Sequence, residues 1–307
     1  MFEFHPETSV RPASEWRCGN ARNRGRAIST VFDVTLCLLL VSASAFVIVG
    51  AQSAEQISNN KRSTAESTAN VLVTSTAEVN YTIRTERESL SRRNYGTFAG
   101  LLTEAAVANT TVYGSELTRT SGVFETAVEN TIRERTAAGN RTSAHIVVRW
   151  RPYRNAHIRG VTSIGNSPPH DATVHAASLS VPSGLPVVRD DAVDAARRNG
   201  YRGVARVVAT GIVSGLFPKH STSIALRDRT PVADSVAGRF RRLRGRYDAD
   251  SLDDGNDGDG TGTRQMLVRT MTTAVEFELR ETFESPEEAA RSVSVGRAEL
   301  VVRTWSM

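Results

Sequence analysis

Val34–Ala54 (VTLCLLLVSASAFVIVGAQSA) is a run of 21 residues without a charged side chain. As an α-helix it would be about 31 Å long, close to the ~30 Å hydrocarbon thickness of a bilayer. A helix packed on a globular core normally carries a polar stripe along its exposed side, and this run has almost none. It therefore predicts a transmembrane helix. Ser42, Ala43, Ser44 and Ala45 are small enough to admit a second helix, although lipid would tolerate them equally well.

The flanking charges predict an orientation. Five Arg (Arg11, Arg17, Arg22, Arg24, Arg26) and three Glu (Glu3, Glu7, Glu15) precede the run, whereas Glu55, Lys61 and Arg62 follow it. The basic excess on the N-terminal side predicts a cytoplasmic N-terminus and an exterior placement for residues 55–307. The whole chain has 307 residues and a net charge of +5, with 36 Arg against only 2 Lys. Because +2 of that charge sits in residues 1–26, a high isoelectric point is poor grounds for a nucleic-acid partner. Cys18 and Cys37 are the only cysteines, which excludes a disulfide-dense scaffold and a Cys-rich zinc fold. Both precede residue 55, so the exterior part must be held by packing alone.

Two other targeting readings fit less well. A secretory signal peptide has a shorter apolar core and a small-residue cleavage site. Ala51-Gln52-Ser53 could supply the site, but the run is long and begins late. A lipoprotein signal needs small residues just before a cysteine, whereas Cys37 follows Leu36 inside the run.

The junction Arg24-Gly25-Arg26-Ala27-Ile28-Ser29-Thr30-Val31 runs straight into the apolar segment. It resembles the class III signal of archaeal type IV pilin-like proteins, in the haloarchaeal form: a basic residue, Ala or Gly, an aliphatic residue, Ser and often Pro. The resemblance implies processing by a prepilin peptidase on the cytoplasmic side at Arg26, Ala27 and Ile28, with the cut falling between Ala27 and Ile28. It also implies that the apolar helix stays on the mature chain for assembly or anchoring. Thr30 stands where Pro is common. Asp33 is the sixth residue of such a mature chain, whereas bacterial pilins carry Glu at the fifth, so Asp33 is the assembly candidate in a shifted register. The longer stretch RAISTVFDVTLCLLLVSASA is also similar to an uncharacterised haloarchaeal pilin-like group associated with tight-adherence-type secretion. Implied partners are the prepilin peptidase, other pilin-like subunits, a secretion membrane platform and membrane lipid.

The expected organisation is a cytoplasmic leader (1–27), a transmembrane helix (28–54), a Ser/Thr-rich stalk or strand region (55–95) and an exterior domain (96–307). Ala69–Ile83 shows strand-like Val71, Val73, Val79, Tyr81 and Ile83, or else continues the membrane helix as a stalk. Phe98–Ala108 and Val123–Ala137 have helical spacing. His145–Trp150 and Thr173–Val181 read as strands. Asp190–Arg198 reads as a helix ending at Asn199-Gly200, followed by helices over Arg202–Phe217 and Pro231–Tyr247. Ser292–Trp305 alternates as a strand. Helices and strands mix without a βα repeat, so the class is α+β with an antiparallel sheet.

Motifs with chemistry are sparse. His170, Asp171 and His175 lack the spacing of a helical metal pair, and structural or solvent roles are expected for them. Residues 248–262 (DADSLDDGNDGDGTG) hold six Asp and four Gly. Asp257-x-Asp259-x-Thr261-Gly262 matches the opening of a calcium loop, but its twelfth position is Val268, where a bidentate Glu belongs. A flexible acidic loop is expected, with calcium at Asp257 and Asp259 as the alternative. Arg239–Arg246 concentrates five Arg. A solvated helix paired with the acidic loop is expected rather than a nucleic-acid patch, since no aromatic platform accompanies it. Three glycosylation sequons begin at Asn80, Asn109 and Asn140, about the number that chance supplies. Phosphate-loop, GxGxxG and GxSxG motifs are absent. No catalytic residues and no cofactor are expected. The sequence therefore points to a pilin-like single-pass surface protein, with an anchored binding protein of unknown ligand as the alternative and an extracytoplasmic enzyme or calcium binder third.

Overall fold

The computed structural model describes residues 39–40, 64–84, 89–117, 121–136, 143–218, 231–247 and 261–305. The chain divides into two compact units, Met1–Ile57 and Ser58–Met307. Of the first, only Leu39 and Leu40 are described, both helical and both exposed. Among the described residues, no helix is long and apolar enough to cross a membrane.

The second unit is α+β, with antiparallel sheets. Helix α1 (residues 64–74) buries Ala65, Ala69 and Leu72, a spacing of four and three that places them on one face. It leads into strand β1 (Thr76–Arg84), which pairs antiparallel with β2 (Ser89–Thr97). Residues 69–74 are therefore helical, contrary to the strand reading of Ala69–Ile83, and only 76–84 are strand. Thr97 then caps α2 (Phe98–Ala108), its hydroxyl accepting the Gly100 N–H at 3.1 Å. Helix α2 is buried on several sides because Ala and Leu occupy most of its positions.

After the short strands β3 (Thr111–Val112) and β4 (Ser115–Glu116) come α3 (Ser121–Thr136), β5 (Ser143–Trp150), β6 (Ile158–Ile164) and β7 (His175–Pro182). Helix α4 (Arg189–Leu216), α5 (Pro231–Arg246), α6 (Thr261–Thr282) and α7 (Pro286–Ser292) precede the last strand, β8 (Arg297–Trp305). The expected strand over Ser292–Trp305 thus begins only at Arg297. Ser292 is instead the last residue of helix α7, which has Pro286 in its first turn and Ser285 accepting the Glu288 N–H, and residues 293–296 form the connection to the strand.

The main sheet has the order β4-β3-β6-β5-β8-β7. Its antiparallel registers align three rows on one face: Ile164, Ile146, Val302 and Ala177; Thr162, Val148, Leu300 and Leu179; Gly160, Trp150, Ala298 and Val181. Helix α2 packs on this sheet. Trp150 is fully buried and donates its indole N–H to Val295 O at 2.8 Å, which satisfies the one polar atom that burial would otherwise leave orphaned.

Helix α4 breaks at Gly200, where φ is 58° and ψ is −148°. That conformation is closed to side chains with a Cβ, and it separates the two helices expected over Asp190–Arg198 and Arg202–Phe217. The second of these lies antiparallel to α6: Arg264, near the start of α6, donates to Phe217 O, and Tyr201 donates to Phe283 O at 2.7 Å. Leu267, Met271, Val275 and Leu279 form the buried edge of α6.

Gly160 sets the closeness of α2 to the sheet, because a Cβ there would fall 2.0 Å from Ala106 O. Gly160→Ala is expected to destabilise the fold by about 3 kcal/mol, through forced displacement of α2. Gly122→Ala in α3 meets nothing within 4 Å and is expected to stabilise by about 0.5–1 kcal/mol. Urea unfolding of the two variants measures both; equal midpoints would refute this account of Gly160.

Candidate functional site

Glu278 is the ionisable residue most thoroughly enclosed by named partners. It lies on α6, one position before the buried Leu279, and is only 4% exposed. A carboxylate removed from water persists only if its oxygens are satisfied by donors. Two segments supply them. The Tyr113 hydroxyl, from the β3–β4 turn, donates to Oε1 at 3.1 Å. From the loop joining β5 and β6, the Tyr153 hydroxyl donates to Oε2 at 2.6 Å and the His157 backbone N–H at 3.2 Å. The His157 ring adds Nδ1, 3.2 Å from Oε1.

Both supporting loops carry unusual backbone. Tyr113 has φ of 49° and Asn155 has φ of 61°, a region that residues with side chains rarely enter. Such conformations persist where surrounding contacts over-determine them, and the Glu278 bonds to Tyr113, Tyr153 and His157 lie on those loops. Tyr113 also stacks obliquely on His157 at 4.8 Å and meets Tyr247 edge-on at 6.1 Å. Tyr247, just past α5, is buried, and its hydroxyl has no hydrogen-bond partner among the described residues.

The electrostatic consequences follow from burial beside a carboxylate. Burial first, then the charge of Glu278 and its hydrogen bond, push the Tyr113 hydroxyl up to about 12. The same causes raise Tyr153, and burial followed by the Glu278 charge raises Tyr247 well above the ordinary phenol range. These phenols stay protonated and act as donors.

Chemically, the cluster can do two things. It fastens α6 to the β3–β4 turn and the β5–β6 loop. It also orients His157, whose side chain is half exposed, by holding Nδ1 against the carboxylate. That is the geometry of an oriented base or a single metal ligand. Among the described residues, however, no group of three His, Cys, Asp or Glu side chains could hold a metal.

A second feature is a groove of about 580 Å³ between α4 and α6. Arg202, Arg206, Arg264 and Arg269 line it together with Val213 and Val268, and no carboxylate is among the described lining residues.

The residues singled out from the sequence lie elsewhere. Arg26, Ala27, Ile28, Asp33, Asp257 and Asp259 fall outside the described residues, as do the sequon at Asn140 and residues 248–260 of the acidic loop, whose last two residues, Thr261 and Gly262, instead open α6. His170 and Asp171 sit exposed in a turn, and His175 begins β7 opposite Thr304. The basic stretch of α5 is not a uniformly solvated face. Arg239 donates to Val107 O at 3.4 Å and lies over the Phe217 ring, and burial lowers its guanidinium to about 10. Arg242 donates to Leu117 O at 2.6 Å. Two of the five arginines thus donate to backbone carbonyls of other elements, and Val107 O also accepts from the Thr110 hydroxyl at 2.5 Å. Asn109 is likewise engaged, its amide donating to Glu125 at 2.5 Å.

Neither Glu278 nor the groove was legible in the sequence reading. The signal for α6 was the four-residue spacing of Leu267, Met271, Val275 and Leu279, obscured by the β-branched run through Thr270, Thr272 and Thr273. A Glu one residue from such a stripe is at its edge, and only the facing loops make it buried.

The model of a family of unknown function, DUF7284, covers residues 32–305. The chain belongs to this family. No curated protein and no solved structure matches it. The DUF7284 match begins two residues before the apolar run and ends at Trp305, the last residue of β8. It therefore includes the apolar run and every described helix and strand, and leaves out residues 1–31.

Glu278→Gln puts an amide N–H₂ among groups that already donate, and is expected to destabilise the fold by about 3 kcal/mol. Tyr153→Phe is expected to lose less, about 1.5–3 kcal/mol, and a double-mutant cycle should show strong coupling between the two. The phenols generate a pH effect of definite sign. Their folded-state values are raised above the ordinary value of 10.0, to about 12 for Tyr113. The stability they contribute is complete below pH 10 and is lost as the pH climbs from about 10 through 12. Denaturation followed by tyrosinate absorbance should show this loss in the parent chain, with Tyr113→Phe flattening it.

Proposed function

We propose that the chain is a pilin-like, single-pass surface protein with a structural role in a type IV pilus-like or secretion filament. In this reading residues 1–27 are a cytoplasmic leader removed by a prepilin peptidase, residues 28–54 form the membrane and assembly helix, and the α+β unit is displayed outside the cell. The apolar run is the observation that carries it: 21 uncharged residues behind a basic leader and immediately ahead of a compact unit that begins at Ser58. The extent of the DUF7284 match supports it, because the match includes the apolar run and omits the leader. Asp33 would neutralise the new N-terminus of a neighbouring subunit during assembly. No catalytic role is assigned, and nucleic acid is not a proposed partner.

The second reading is an anchored exterior binding protein in which the helix is only a tether. The arginine-lined groove favours it. Mass spectrometry of the mature protein from membranes separates the two. A chain beginning at Ile28 is expected for the filament reading, and its size should increase when the prepilin peptidase is deleted. An intact Met1, with size and location indifferent to that deletion, would sink the filament reading and leave the tether.

A further inference from the structure

The groove between α4 and α6 has a charge pattern that the fold itself does not use. Arg202 and Arg206 are one turn apart on α4 and exposed, and Arg269 on α6 is exposed as well. None of the three has a carboxylate within ion-pair distance among the described residues. Arg264 is partly buried and donates to Phe217 O. The next residue on that face of α6 is Glu276, and it is held by Arg280 at 2.6 Å, so its charge is already matched.

The two helix-end contacts fix how these arginines are spaced. Phe217 lies beside Arg264, and Tyr201 beside Phe283. With about 1.5 Å of rise per residue in each antiparallel helix, the order along the groove is Arg202, Arg206, Arg269, Arg264, at intervals of about 6 to 11 Å and over about 25 Å in all. Four guanidinium groups strung out in this way cannot converge on one small phosphate or carboxylate. They match an extended chain bearing repeated negative charges. Carboxylates on alternate residues of a peptide strand recur about every 6.6 Å, and about eight such residues would span the groove.

The rest of the lining narrows the chemistry. The hydroxyls of Thr210, Ser214 and Thr272 donate to carbonyls of their own helices, so the donors available to a ligand are the arginines and Gln265. Val213 and Val268 offer apolar contact between them. Among the described residues no aromatic ring lines the groove, so they offer no stacking platform of the kind that single-stranded nucleic acid uses. The concave shape also does not suit a flat bilayer surface.

The geometry points to a docking site for an extended acidic peptide segment, with carboxylates on Arg202, Arg206, Arg269 and Arg264 and small apolar side chains on Val213 and Val268. Arginine suits this role because its planar fork grips a carboxylate in two places. The inference does not depend on membrane anchoring or on filament assembly.

Fluorescence anisotropy with the full chain in detergent tests it, using a labelled decapeptide of alternating Asp and Val. The controls are the same peptide with Asn for Asp and a labelled oligothymidylate of equal length. Because the chain carries its own acidic stretch at 248–259, a second chain with those six Asp changed to Asn is measured in parallel. Salt-sensitive binding of the Asp peptide to either chain, tighter than both controls, is the expected result. Arg206→Glu with Arg269→Glu should weaken it at least about tenfold, and the milder Arg206→Gln with Arg269→Gln should weaken it in the same direction. Arg241→Glu, on the exposed side of α5, should leave it unchanged. The inference is overturned if neither chain prefers the Asp peptide to its Asn control, if oligothymidylate binds more tightly, or if both groove variants bind like the parent.

Discussion

A buried carboxylate must be surrounded by donors, and at Glu278 that requirement organises a whole corner of the fold. Tyr113, Tyr153 and the backbone and ring of His157 come from two separate connections and converge on one side chain of α6. Removing any donor leaves charge in a poorly solvated place, so the loops and the helix hold one another in position. The positive φ of Tyr113 and Asn155 belongs to the same arrangement. Backbone that is unfavourable by itself is kept because its side chains or neighbours are already bonded.

The sheet is built on a simpler rule. Alternation along β6 puts Ile158, Gly160, Thr162 and Ile164 inside, and the registers carry that pattern through β5 and β8 to β7. Helix α2 closes over it at a distance that Gly160 permits. Aliphatic alternation made β5, β7 and β8 readable from sequence, and Ala- and Leu-rich spacing did the same for α2. Strand β2 (SLSRRNYGT) was not readable, because its polar face dominates and its partner β1 supplies the apolar contacts.

The arginines follow two courses. Arg239, Arg242 and Arg264 reach carbonyls at Val107, Leu117 and Phe217, so they act as donors for chain ends and turns, and Arg264 also lines the α4–α6 groove. Arg202, Arg206 and Arg269 stay on the rim of the α4–α6 groove. Composition treats all of them alike, yet burial lowers the guanidinium of Arg239 to about 10 while others remain open to partners. A count of charge in the sequence, or a cluster such as Arg239–Arg246, says nothing about this division.

What sequence alone determined is local and periodic. It marks the uncharged run Val34–Ala54, the helix break at Asn199-Gly200 and the α+β class, because hydrophobic spacing and glycine geometry act over a few residues. Tertiary structure alone decided which polar groups matter. Glu278 is 121 to 165 positions from its hydrogen-bond donors, and the groove arginines meet only because α4 and α6 pack antiparallel. Hydrogen bonds and charge ladders of that kind depend on distances in space, which no spacing along one segment encodes.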